Sequence, residues 1–287
     1  MGSRPVLVIG AEGQLGAAIG SAFPDVIGLG RRDMDLKSPD LPDRARQLMD
    51  AIRPRTVVNC AAFTAVDRAE SEGDEAMAVN AYAVGVLAET AARLATSFVT
   101  FSTDYVFDGT KPNPYVESDL PSPINTYGQT KALGESYALA QGEGILVIRT
   151  SWLISSTHPN FVSTVLRRIK SGGSIKVVSD QHGCPTVASD LARATVDAVE
   201  MGATGILHLT NRGATTWFDL ARAAAASAGY DDKLIEPCTT ANYPTPARRP
   251  TNSVLGSKRT GQLGIDLPPW QESLDRVVTD LSAIGFP

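Results

Sequence analysis

The chain is poor in the residues that metal, redox and disulfide chemistry call on. Cysteine and histidine each occur three times in 287 residues, far apart, with no Cys-x-x-Cys and no paired histidines. Scattered cysteines in odd number exclude a disulfide framework and read as reduced, partly buried thiols. The same scatter offers no metal site. No apolar run approaches the roughly 20 residues that a membrane helix needs. The opening Met1-Gly-Ser-Arg-Pro5 leads straight into an apolar segment without a secretory or transit pattern, so a cytoplasmic enzyme is expected. Basic residues form no stripe, and the formal net charge is −5; nucleic acid is not an expected partner.

What is present is the composition of an ordinary globular chain, 43% hydrophobic and 20% charged, long enough for one large α/β domain with an appendage. Short apolar runs at Val6–Ile9, Val26–Leu29, Thr56–Asn59, Phe98–Phe101 and Ile145–Ile148 alternate with helical patterns at Leu15–Phe23, Leu41–Arg53, Glu75–Leu94 and Tyr127–Ala140. Such alternation predicts α/β architecture, a Rossmann-like doubly wound parallel sheet with helices on both faces. Residues 1–150 are therefore expected to form the NAD(P)-binding domain. Residues 151–287 are expected to form mainly a smaller C-terminal substrate-binding lobe, with some segments returning to the sheet. Its helices are placed at Phe161–Lys170, Asp190–Glu200 and Trp217–Ala228, and its strands at Ile175–Val178 and Ile206–Leu209. Gly229 is the expected stop of the Ala-rich helix.

The first strand runs into Gly10-Ala-Glu-Gly13-Gln14-Leu15-Gly16 and then a helix. Glycines there permit a tight turn, a close approach of phosphate to backbone, and close packing of helix on strand. The spacing is G-x-x-G-x-x-G, and the placement predicts a dinucleotide with its pyrophosphate at the helix N-terminus. After the second strand come Arg31 and Arg32, where an NAD-specific site would offer a carboxylate. Two guanidinium groups suit a 2′-phosphate, so NADPH is the expected cofactor, with NADH as the alternative. Asp35 and Leu36 follow where they would meet the adenine edge.

Strand four ends in Ser102-Thr103-Asp104-Tyr105, and ligands bind at the carboxyl ends of strands in such sheets. Tyr127 and Lys131 then stand four apart at the start of a helix, on one face. An ammonium beside a phenol would lower the phenol's pKa from about 10. The pattern alone is common, but glycine loop, strand-end hydroxyls, tyrosine and lysine in this order make a proton-transfer site.

At these residues the chain resembles the extended short-chain dehydrogenase/reductases, and within them the dTDP-4-dehydrorhamnose reductases. The likeness is carried by Gly10–Gly16, Asn59–Asp67, Ser102–Gly109, Tyr127–Lys131, Arg149–Trp152, Asp180–Thr186 and Pro244–Pro250, and it spans nearly the whole chain. It implies NADPH-dependent reduction of the C4 ketone of dTDP-4-dehydro-6-deoxy-L-mannose to dTDP-L-rhamnose, the final step in making that donor. Tyr127 would protonate the alkoxide, Lys131 would hold the nicotinamide ribose, and Thr103 would orient the ketone oxygen. The resemblance also places Asp104, Tyr105 and Trp152 around the sugar, and Ala61, Ala62 and Asn80 along the cofactor. Arg248 and Arg249 would meet the nucleotide diphosphate. Some relatives dimerise through magnesium held by glutamates; the corresponding positions are Ala18 and Ser189, so a monomer or a dimer without a bridging metal is expected. Two other readings stay open. One is a reductase of another dTDP-4-keto-6-deoxysugar; the other is a non-catalytic nucleotide-binding subunit like that regulating methionine adenosyltransferase.

Overall fold

The computed structural model describes residues 4–283; residues 1–3 and 284–287, at the outer ends of the two expected lobes, lie outside it. Six parallel strands form the central sheet: β1 (Val6–Ile9), β2 (Val26–Leu29), β3 (Thr56–Asn59), β4 (Ser97–Thr103), β5 (Ile145–Thr150) and β6 (Gly205–His208). They lie in the order β2-β1-β3-β4-β5-β6. The chain winds one way to β2 and the other way through β3 to β6, so the crevice between β1 and β3 is the switch point where such sheets bind ligands.

The strands are continuously apolar because both faces are covered. Val6 and Val8 belong to one core with Val58, Val99, Leu146 and Ile148, while Leu7 and Ile9 belong to a second with Val57, Phe98 and Val147. Successive side chains on a strand point to opposite faces. The first face is covered by the Gln14–Ala22 and Ala188–Glu200 helices, through Leu15, Ile19, Leu191 and Ala198. The second is covered by Leu41–Ile52, Ala83–Arg93 and Thr126–Leu139, through Ala45, Met49, Leu87 and Ala138. Beyond residue 150, then, the Ala188–Glu200 helix and β6 return to the sheet.

The rest of the second half builds a separate core from the helices Phe161–Lys170, Trp217–Ser227 and Trp270–Ala283. The last helix was not among those expected, though Trp270, Leu274, Val277, Val278 and Leu281 recur at helical spacing and are all buried. The predicted Glu75–Leu94 helix is interrupted: a π turn at Ala78–Tyr82 separates Gly73–Met77 from Ala83–Arg93. That widened turn carries the buried Asn80, and such turns recur at functional sites. Gly229 ends the Ala-rich helix at φ +75°, a conformation that glycine adopts without steric cost.

Candidate active site

The carboxyl ends of β1, β3, β4 and β5 open onto one cleft of about 870 Å³, a volume suited to a cofactor or small ligand. It is lined at one end by Gly10, Gly13, Gln14, Leu15, Arg31, Asp35 and Leu36, along its middle by Ala61 and Ala62, and at the inner end by Thr103, Asp104, Tyr127, Lys131 and Trp152. These residues were picked out from sequence, and the fold brings them to one surface.

The glycine loop fits a dinucleotide on physical grounds. Gly10 has φ +78°, and a Cβ there would stand 2.7 Å from the Ala61 nitrogen. A Cβ on Gly16 would stand 2.0 Å from the Gly10 carbonyl oxygen, so Gly16 serves helix packing and does not line the cleft. Gly13 is different: its nearest obstacle is the Gly10 oxygen at 3.4 Å. It caps the Gln14–Ala22 helix, whose first turn carries no acidic residue, leaving unpaired N–H groups toward the cleft. The Gln14 side chain is spent elsewhere, donating to the Leu153 carbonyl at 3.1 Å and accepting from Ser155 Oγ at 3.0 Å. It ties the loop after β5 to the glycine loop.

At the adenosine end Arg31 lines the cleft, whereas Arg32 is exposed outside it. Lys37 also lines the cleft and pairs with Glu75 at 2.9 Å, and Arg68 lines it nearby, bound to Glu72. Nothing in the sequence sets Lys37 apart from other surface lysines; only the loop after β2 brings it there.

Asn80 does not line the cleft either. Its amide accepts from Phe63 N at 2.9 Å and donates to Phe63 O and Thr130 Oγ1 at 3.0 and 3.1 Å. With those groups occupied, Asn80 shapes the loop after β3 from behind and leaves the wall to Ala61 and Ala62.

The catalytic helix starts at Asn125, whose side chain accepts from Gly128 N at 2.7 Å, an N-cap that leaves the next residues helical. Gly128 must lack a side chain, because a Cβ would stand 2.1 Å from the Tyr105 carbonyl oxygen. The short turn Asp104–Val106 can thus press onto the helix, seating Tyr127 beside Thr103. Burial and the Asp104 charge push the Tyr127 phenol above its ordinary value, against a hydrogen bond to Thr103 that lowers it. This runs opposite to the lowering expected from Lys131. Lys131 donates to the Phe101 carbonyl at 2.5 Å, and burial takes it down to about 8. At neutral pH the phenol is therefore a held proton, fit to be given up to an oxygen in the cleft. Asp104 is fully enclosed and burial pushes it up to about 6, with Ser253 and Thr103 hydrogen bonds opposing the rise.

Trp152 sits just past β5 with φ +47°, a conformation costly for a bulky residue and concentrated at functional sites. It stacks on Trp217 with ring centroids 3.7 Å apart, and a Cβ on Gly183 would strike its ring at 2.4 Å. Trp217 and Phe161 complete this aromatic wall of the cleft. Neither was foreseen, since aromatic residues opening a helix read as core.

Buried polar atoms without partners are rare. Among the described residues four such atoms occur, Ser102 Oγ, Thr150 Oγ1, Trp152 Nε1 and Thr186 Oγ1, and the first three residues border the inner cleft. Thr150 lies in register with Thr103 across β4 and β5. The three cleft atoms suit a polar ligand such as a nicotinamide or a sugar.

Three expected substrate residues stand apart from the cleft lining. Tyr105 packs edge-on to Tyr127, centroids 6.3 Å apart. Arg249 is bound by both oxygens of Asp67, with Nη2 to Oδ2 at 2.9 Å, and this hydrogen bonding holds the Asp67 carboxyl below its usual range. Arg248 is exposed and contributes its carbonyl to Asn125 at 2.8 Å. Arg249 thus clasps the Pro244–Pro250 loop to the Asn59–Asp67 segment, while Arg248 stays exposed beside it.

The family model described as the RmlD substrate binding domain matches residues 4–283. The chain is 40% identical to the dTDP-4-dehydrorhamnose reductase of Burkholderia thailandensis, over 96% of this chain and 98% of that one. It is 38% identical to a Streptomyces antibioticus protein named a probable dTDP-4,6-dihydroxy-2-methyloxan-3-one 4-ketoreductase, over 98% and 97%. Its fold superposes with TM-score 0.92 on the crystal structure of the Bacillus anthracis dTDP-4-dehydrorhamnose reductase in complex with NADP, at 31% identity, covering 97% of this chain and all of that one.

Proposed function

The chain belongs to the RmlD family of dTDP-4-dehydrorhamnose reductases, and from that membership we propose that it reduces the C4 ketone of dTDP-4-dehydro-6-deoxy-L-mannose with NADPH, yielding dTDP-L-rhamnose. The observation that carries this reading is the meeting of Thr103, Tyr127 and Lys131 at the inner end of a glycine-loop cleft. A bound nicotinamide supplies the hydride that the ketone carbon accepts. Tyr127, protonated through neutrality, gives its proton to the ketone oxygen as negative charge develops there. Thr103 donates to Asp104 Oδ1 at 2.9 Å; turned toward the ketone, that hydroxyl fixes the oxygen beside the phenol. Lys131 uses one of its three donors on Phe101 and has two for the ribose hydroxyls. Residues 151–287 supply the aromatic wall and act mainly on the sugar.

Arg31 and Lys37 are the groups suited to a 2′-phosphate. Charge-assisted contacts of this kind contribute about 1.5–3 kcal/mol each. Replacing both by alanine is expected to raise KM for NADPH at least roughly 10-fold with little change for NADH, as read from initial rates with each cofactor. An equal effect on both would remove the two cations from phosphate recognition.

A second reading, reduction of another dTDP-4-ketosugar, is favoured by the likeness to the Streptomyces protein. Incubating the protein with NADPH and each ketosugar, and reading C4 configuration by NMR, separates the two. Rapid turnover to dTDP-L-rhamnose is expected; turnover confined to a different ketosugar would replace the first reading by the second. We place the enzyme in the cytoplasm; no described helix is long and apolar enough to cross a membrane. With Ala18 and Ser189 where some relatives carry metal-binding glutamates, we propose a monomer, or a dimer formed without a bridging metal.

A further inference from the structure

A buried ion pair joins the catalytic helix to β5 and takes no part in the steps above. Glu135 is one helical turn beyond Lys131, and the Arg149 fork from β5 grips its carboxylate at 2.9 and 2.6 Å. The two side chains are 4% and 1% exposed. Burying such a pair is expensive, and well-packed apolar residues often serve stability as well or better. Its position says more than its strength. Lys131 is itself enclosed, with Phe101 O as its hydrogen-bond acceptor, and an ammonium away from water tends to shed its proton.

We propose that Glu135, held in place by Arg149, is a positioning residue whose charge helps hold the proton on Lys131 through the neutral and mildly alkaline range, and with it the grip of Lys131 on the cofactor ribose. The inference rests on the reading of Lys131 as the ribose-binding cation. Burial takes Lys131 down to about 8, and Glu135 is the charge that opposes the fall. The other groups around this site do not substitute for it. Tyr127 on the same helix is protonated at neutral pH. Asp104, from the turn after β4, titrates near 6 and is charged through neutrality, but its charge bears on Tyr127, whereas the charge that bears on Lys131 is that of Glu135. His208, from β6, approaches Arg149 at 3.5 Å and is held neutral down to about 4 by burial and by the Arg149 charge.

The test is the pH dependence of NADPH binding, followed by cofactor fluorescence from neutral to alkaline pH, because it needs no knowledge of the sugar. In the wild type, affinity should fall as Lys131 loses its proton. In Glu135→Gln the fall should come lower by about half a pH unit or more, as removal of a nearby buried charge requires. In Glu135→Asp, which keeps the charge on a shorter stem, it should stay near the wild-type position even where Arg149 is held less well. A purely structural pair predicts the reverse: both variants lose stability and neither moves the fall, and that result would overturn the proposal. Where Glu135→Gln does not fold, Glu135→Gln/Arg149→Met removes both charges together and is expected to carry the same downward shift; an unmoved fall there overturns it equally. Wild-type protein that does not bind NADPH would instead sink the cofactor reading, before any variant is made.

Discussion

Tyr127→Phe is expected to lower kcat for ketosugar reduction by at least about 10²-fold, some 2.7 kcal/mol of transition-state stabilisation, while NADPH binding and the unfolding midpoint stay near wild type. The substitution removes one oxygen. The ring keeps its edge-on packing against Tyr105, and the helix start depends on Asn125 and Gly128, so little besides the proton is lost. The sign of the Tyr127 shift refines the expectation. With the phenol raised by burial and by the Asp104 charge, ionisation of Tyr127 should not limit reduction anywhere near neutrality. The alkaline decline of the wild type should follow Lys131, near 8. On the acid side, Asp104 gains its proton near 6, which removes one of the charges that hold the phenol's proton in place. Rates with NADPH and the ketosugar across pH, for wild type and Tyr127→Phe, read all of this. Turnover of the variant close to wild type would end the assignment of Tyr127 as the acid.

The parts of this site that were legible in the sequence are those whose chemistry is local. A glycine between strand and helix has a meaning wherever it occurs: Gly10 and Gly16 each meet a distinct steric demand, and Gly13 leaves the helix N-terminus open. Tyr127 and Lys131 share a helical face by spacing alone. What local sequence leaves open is where polar side chains end. Lys131 carries an ammonium four residues from the phenol, yet its Nζ bonds the Phe101 carbonyl. Arg249 has the right charge for a diphosphate, yet Asp67 holds it. Asn80 is polar and close to the cofactor wall, yet its amide is consumed by Phe63 and Thr130. Lys37 and Trp217 reach the cleft through loops whose course depends on distant contacts, and no pattern in the neighbouring residues marks them. The sheet was easier, because six strands covered on both faces must be continuously apolar, whereas the two-residue strand pairs of the second lobe leave almost no periodicity to read.

The largest effect on stability is expected at Asp190, far from the chemistry. Its side chain is 1% exposed and accepts from Ser273 Oγ at 2.5 Å, Asn211 Nδ2 at 2.9 Å and Arg276 Nη2 at 2.7 and 2.8 Å, with Arg193 as a further partner. Asn211 in turn accepts from Val187 N at 2.8 Å and donates to the Pro268 carbonyl at 3.0 Å. One carboxylate therefore joins the helix that covers the sheet to the Trp270–Ala283 helix of the second lobe. It also anchors Thr186–Val187, the strand paired with Leu153–Ile154 beside Trp152. Asp190→Ala would strand the buried Ser273 and Asn211 donors in the interior, at about 1–3 kcal/mol each, while the half-exposed Arg276 and Arg193 turn to water; the loss is measurable by urea unfolding at neutral pH. Burial alone would raise this carboxyl; the Ser273 and Asn211 hydrogen bonds and the Arg276 and Arg193 charges outweigh it and hold the pKa below the usual range. A depressed folded-state value means that the stabilisation is fully present above the unfolded value of about 3.9 and is lost as pH falls through the folded one. The gap between wild type and Asp190→Asn should then be constant through neutrality and close in acid, because protonating Asp190 does to the wild type what the substitution does to the variant. A gap that stays open in strong acid would assign the stabilisation to the shape of the hydrogen-bond network and deny it to the charge.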